Sequence, residues 1–131
     1  MSHINWLEIL GWNLEELEDI RFVGYSYIKQ GHYEIATTFF EALVILSSET
    51  TYDLQTLGAL YLQKGNNFAA LNYLEKAAKA DPLHSPTLLN RAKALFALGY
   101  KKQGIMQAKA LESVAEEEIS NQASALLLAY S

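Results

Sequence analysis

Cysteine is absent from the 131 residues. That excludes disulfide scaffolds, zinc–thiolate sites and thiol catalysis. A chain without disulfides fits the cytosol, so a cytoplasmic location is expected. Proline occurs only twice, which leaves long stretches free to be helical. Bases are outnumbered by acids, ten to fifteen, for a net charge of −5. Phosphate contacts need concentrated Lys and Arg, so nucleic acid is not an expected partner. No apolar run is long enough to span a bilayer, and membrane insertion is not expected. Met1 to Gly11 lacks the basic stretch and apolar run of a signal or transit peptide.

What remains is globular in composition. Half of the chain is hydrophobic and 19% is charged. The charge is sorted along the chain. Residues 1–50 hold eight acids and two bases, residues 51–111 three acids and eight bases, and residues 112–131 four acids and no base. Solvated surface is the plain reading of that sorting. Electrostatic matching between copies of the chain, or to a bipolar partner, is the sharper one.

An internal repeat is the strongest signal. Gly24 and Gly58, Tyr27 and Tyr61, Gly31 and Gly65, and Ala36 and Ala70 are all pairs 34 residues apart. Each unit reads as two antiparallel helices, so the predicted fold class is an all-α helical-repeat solenoid. In the first unit helix A spans Leu17 to Lys29 and helix B Tyr33 to Leu46, with Gly31 in the turn. Gly24 and Ala36 are small where the two helices cross, and Phe39, Phe40 and Leu43 form a stripe at helical spacing. The run from Ser47 to Thr50 is a loop. The second unit repeats the plan over Thr51–Gln63 and Asn67–Ala80, with Gly65 in the turn and Pro82 blocking continuation. A third, degenerate unit has Ser85 as N-cap before Pro86, Gly99 in its turn, and helix B over Lys101 to Ala115. The expected organisation is therefore an N-terminal helix and linker at 1–16, repeats at 17–50, 51–84 and 85–118, and a capping helix at 119–131.

The spacing of Gly24, Tyr27, Ala36, Phe40 and Leu43, then Gly58, Tyr61, Ala70, Leu74, Ala77 and Pro82, resembles the tetratricopeptide-repeat family. The chain departs from that pattern at the tryptophan position, held by Ile20, Leu54 and Leu88, and at the proline position of units one and three, held by Ser48 and Glu116. More narrowly, the segment from Gly24 to Phe40, in a chain of three repeats with flanking helices, looks like the small class II chaperones of bacterial type III secretion. This resemblance implies a peptide- and protein-binding chaperone that holds a virulence-associated secretion substrate, a translocator or a needle component, in the cytoplasm. A general tetratricopeptide adaptor or a structural subunit of an assembly is the alternative.

The resemblance also implies where a client sits. The A helices of such a solenoid line its concave face. In the family register unit two presents Tyr52, Gln55, Thr56, Ala59, Leu62 and Gln63. Across the three units the candidate client groove is Phe22, Tyr25, Ile28, Lys29, Tyr52, Leu62, Leu89, Lys93 and Phe96. An apolar, aromatic stripe of this kind marks a binding surface. Tyr25, Tyr52 and Phe96 are the expected anchors, for an extended and partly apolar segment of a secreted client. The family's clamp for heat-shock-protein tails is not expected, because only Asn90 and Lys93 have suitable chemistry. Trp6, Leu7, Leu10 and Trp12 are large apolar groups on a short flank, and they predict self-association, as a homodimer or with a co-chaperone.

Catalysis is not expected, and neither is a cofactor or a metal. None of His3, His32 and His84 has the i, i+4 partner of a metal-binding helix. No phosphate-binding loop is present, and no serine has a histidine base placed beside it by sequence.

Overall fold

The computed structural model describes residues 6–47 and 50–130. Among the described residues eight α-helices follow one another: α1 (Trp6–Leu10), α2 (Leu14–Lys29), α3 (Tyr33–Leu46), α4 (Thr51–Gln63), α5 (Asn67–Ala80), α6 (Ser85–Ala97), α7 (Lys101–Leu111) and α8 (Glu117–Tyr130). The described residues contain no strand. None of their helices is long and apolar enough to cross a membrane.

Three hairpins carry the architecture: α2 with α3, α4 with α5, and α6 with α7. Their turns share one chemistry. Gly31, Gly65 and Gly99 adopt φ of 80°, 81° and 87°, the left-handed region that a β-carbon disfavours. In each turn the following N–H reaches back to the A helix, from His32 to the Tyr27 carbonyl at 2.9 Å, from Asn66 to Tyr61 at 2.9 Å, and from Tyr100 to Leu95 at 2.8 Å. The glycine N–H bonds the carbonyl three residues before it, completing a Schellman motif three times over.

Inside the hairpins the small residues permit close crossing. A β-carbon on Gly24 would meet Phe40 at 2.9 Å, and one on Gly58 would meet Leu74 at 2.6 Å. Ala36, Ala70, Phe40, Leu43 and Leu74 are fully buried. Burying each large side chain stabilises the fold by roughly 1.5–3 kcal/mol. Successive hairpins also pack on each other, α3 on α4 and α5 on α6, and α8 lies across α7 and α6 as α6 lies across α5 and α4. The last helix thus takes the place of a further A helix with no partner behind it.

Four boundaries differ from the sequence expectation, among them the start of α8, at Glu117 and not at 119. Helix α2 starts at Leu14 and not at Leu17, because Asn13 and Glu16 form a reciprocal capping box: the Asn13 side chain accepts the Glu16 N–H at 3.1 Å and Glu16 accepts the Asn13 N–H at 3.3 Å. The cap of α6 is His84, and Ser85 is already helical; the His84 ring nitrogen Nδ1 lies 2.7 Å from the Thr87 hydroxyl. Helix α7 stops at Leu111, four residues short of Ala115. There the chain turns, and Ser120 of α8 donates to the Glu112 carbonyl at 2.6 Å.

Candidate functional site

The A helices do not stand at equal spacing. Helices α4 and α6 approach directly, as do α6 and α8, but no Cα of α2 lies within 8 Å of a Cα of α4. A cleft of about 450 Å³ opens between those two helices. Tyr25 and Ile28 line it from α2, and Tyr52, Gln55, Thr56, Ala59 and Gln63 line it from α4, with Tyr33 at the hairpin turn. Tyr25 is 45% exposed and Tyr52 42%, so both rings are presented without being free of support. The Tyr52 ring meets Phe40 edge-on at 6.5 Å. Burial, first of several causes, pushes its hydroxyl above the ordinary tyrosine value. Lys29 lies 5.4 Å from the Tyr25 ring centroid, a cation–π arrangement. Phe22, on the same helix, is 73% exposed.

One ion pair bridges the cleft's two walls. Arg21 of α2 donates from Nε and Nη2 to the two carboxylate oxygens of Asp53 on α4, both at 2.7 Å. Asp53 is fully buried and also accepts the hydroxyls of Ser47 at 3.0 Å and Thr50 at 2.9 Å. Thr50 caps α4 in turn, accepting the Asp53 N–H at 3.4 Å. Hydrogen bonding to Asp53 raises the Arg21 guanidinium above its ordinary value. The arginine also contacts Glu18 one turn earlier. The fork is a planar bidentate match, the strongest form such a pair takes. The next junction is held differently, by a 2.6 Å amide bond from Asn90 of α6 to Gln55 of α4.

Of the sequence-predicted groove residues, Tyr25, Ile28 and Tyr52 come together in the cleft, with Phe22 and Lys29 on the adjoining α2 surface. Four do not join them. Leu89 and Phe96 are 5% exposed each, packed with Ala108, Leu111 and Ala123. Helix α8 covers them, and Phe96 stacks on Tyr130 at 4.4 Å between centroids. Lys93 is half-buried and donates to Gln122 of α8 at 3.2 Å. Leu62 is half-buried against Ala70, Leu74 and Ala94 in the seam between hairpins. The polar positions Gln55, Thr56 and Gln63, which an apolar criterion passes over, line the cleft instead. Tyr33 and Asp53 were missed altogether. A Thr-x-x-Asp capping signature at Thr50–Asp53 was the available signal for the second.

Among the self-association residues, Leu10 is 45% exposed and Trp12 37%; the side chains of Trp6 and Leu7 lie outside the described residues, as does His3. His32 packs edge-on against Tyr27. Among the described residues no group of three or more His, Cys, Asp or Glu comes together as a metal site.

The tetratricopeptide-repeat family model matches residues 54–82, the second hairpin and its first following turn. This chain has the tetratricopeptide-type helical-repeat fold. No curated protein matches its sequence. Among solved structures, it is similar to the Yersinia enterocolitica type III secretion chaperone SycD in complex with a peptide of the translocator YopD, at 23% identity over 88% of this chain and 92% of that one, with a TM-score of 0.81. A second crystal structure of SycD, to which the chain is also similar, shows an alternative dimer. PcrH of Pseudomonas aeruginosa, in complex with the chaperone binding region of PopD, is 25% identical over 92% of this chain and 94% of that one, with a TM-score of 0.81. The first repeat domain of Spaghetti (RPAP3), bound to a heat-shock-protein 90 peptide, is 17% identical with a TM-score of 0.78, over 89% and 94% of the two chains. The repeat fold is therefore common to all three, and each of these relatives holds a peptide.

Proposed function

We propose that this protein is a non-enzymatic chaperone of type III secretion that holds an extended, partly apolar segment of a secreted client in the cytoplasm. The observation that carries the reading is the cleft between α2 and α4, with two half-exposed tyrosines on facing walls. Amides and a hydroxyl beside them, Gln55, Gln63 and Thr56, offer a peptide backbone hydrogen-bond partners. The likeness to SycD, bound to a peptide of the translocator YopD, and to PcrH, bound to the chaperone binding region of PopD, supports a translocator as client. Phe22, Ile28 and Lys29 extend the contact along α2, and self-association runs through the apolar flank of Trp6, Leu7, Leu10 and Trp12. An extended client is ordered on binding, so affinity is modest for the contact made.

The test begins with native purification and mass identification of what stays bound. The retained segment is then titrated against the wild-type chain and against Tyr25→Ala and Tyr52→Ala. Each variant is expected to lose on the order of 2 kcal/mol of binding, about thirtyfold in Kd. Folded variants that bind as the wild type does would overturn the cleft assignment.

A further inference from the structure

The sorted charge becomes sharper in three dimensions. Asp53 is one of only three acids in residues 51–111, and Arg21 one of only two bases in residues 1–50. The structure pairs these two with each other, with Asp53 fully buried. Each region thus loses a charge of its minority sign from the surface. Helix α2 is left with an acidic and apolar outer face. Leu14 and Phe22, each 73% exposed, stand two turns apart on one row, with Glu15 and Asp19 exposed on the next. Among the described helices the α2 backbone packs only on α3. The opposite chemistry lies elsewhere on the molecule. A second cleft, of about 680 Å³, runs between α5 and α7 over α6, where Lys76, Lys79 and Arg91 outnumber the one acid, Glu75, around Ala78, Pro82 and Leu88. Arg91 is shared with Glu75 and donates to Gln107 at 2.9 Å. Lys76 and Lys79 are exposed.

We propose that the α5–α7 cleft receives the α2 face of a second copy of this chain. Both surfaces pair cations or acids with apolar side chains, and their charges are complementary. The proposed contact is head to tail: each copy offers its α2 face to one neighbour and its cleft to another, so association continues past a dimer, whereas a two-fold pair would use both patches at once and stop there. This distinguishes it from a symmetric contact through the N-terminal flank. It shares Phe22 with the proposed client contact but uses none of the residues that line the cleft between α2 and α4, and the charge-swap test below reads no client binding.

The experiment is sedimentation velocity on the full chain over a wide concentration range, at low and high salt. The wild type is expected to grow beyond dimer mass at low salt and to shrink as salt screens the contact. Glu15→Lys with Asp19→Lys, and separately Lys76→Glu with Lys79→Glu, should each weaken association about tenfold or more, because each sets like charges against one another. The equimolar mixture of the two variants should regain it, since each then meets a patch of opposite sign. Circular dichroism confirms that both variants fold. A wild type that stays monomeric or stops at a dimer, association indifferent to salt or to the substitutions, or a mixture no heavier than its components would each overturn the proposal.

Discussion

Phe96 separates a groove residue from a core residue, and truncating it tells the two apart. A client anchor lost to alanine weakens binding and leaves the fold intact. The structure gives Phe96 5% exposure, an offset stack on Tyr130 at 4.4 Å, and van der Waals contact over Gly104, where a β-carbon would already meet the ring at 2.8 Å. Removing a buried phenylalanine costs about 3–5 kcal/mol, a large share of the roughly 5–15 kcal/mol that a domain has. Unfolding entropy scales at about 2.1 cal/mol/K per residue, so a loss near 4 kcal/mol lowers Tm by about 15 °C in a chain of this length. Tyr25→Ala, at a 45% exposed position, should lower Tm by less than about 4 °C on the same scale. Thermal melts followed by far-UV circular dichroism, run beside client titrations below the melting range, measure both quantities. Phe96→Ala melting within a few degrees of wild type while losing client affinity would refute the burial argument and return Phe96 to the groove.

Asp53→Ala should destabilise by about 3–5 kcal/mol, measured by urea denaturation, because it removes the buried bidentate partner of Arg21 and leaves that largely buried guanidinium only the exposed Glu18. Replacing the pair together, Arg21→Met with Asp53→Leu, should cost far less, since the desolvation penalty disappears with both charges. Tyr61 donates to Glu41 at 2.6 Å, and that hydrogen bond, ahead of burial, raises its hydroxyl from 10.0 to about 12. The folded state therefore holds this proton more tightly than the unfolded one: the associated stability is complete below pH 10 and is lost as pH rises towards 12. Ultraviolet titration of the phenolates should show Tyr52 and Tyr61 titrating above the ordinary range, with the component near pH 12 disappearing in Tyr61→Phe. Gly58→Ala should lower stability by roughly 1–3 kcal/mol in the same denaturation assay, because the added carbon overpacks against Leu74.

The hairpins were legible because their information is local and repeated. The 34-residue offset gave α3, α4 and α5 to the residue, since each begins or ends at a glycine turn whose backbone demand is written in one amino acid. Helix ends fixed by side chains were less visible. The Asn13–Glu16 box moved the start of α2 by a turn, and the Glu112 carbonyl found its partner in Ser120, nine residues beyond the end of α7. The groove was legible only in part, for a different reason. The family register says which positions of an A helix face inward; it does not say which A helices are followed closely by another. Leu89, Lys93 and Phe96 hold groove positions in unit three, but α8 packs there as the next A helix and turns them into its seat.

The cleft exists where it does because of how neighbouring A helices are joined. Between α4 and α6 the bridging side chains are two short amides, Gln55 and Asn90, and the backbones close to contact distance. Between α2 and α4 the bridge is an arginine, the longest side chain available, reaching a carboxylate that four donors hold rigidly from α2, the α3 C-cap and the α4 N-cap. An arginine fork is stiff at its head and costs less rotational freedom per bond than a lysine would. It can therefore hold two helices apart as well as together. The same pair that keeps α2 in register leaves room for Tyr25 and Tyr52 to face across an open space. It also takes Arg21 out of the acidic surface of α2 and buries Asp53, one of three acids in residues 51–111. A single buried ion pair thus marks the place of the opening and withdraws one minority charge from each side of it.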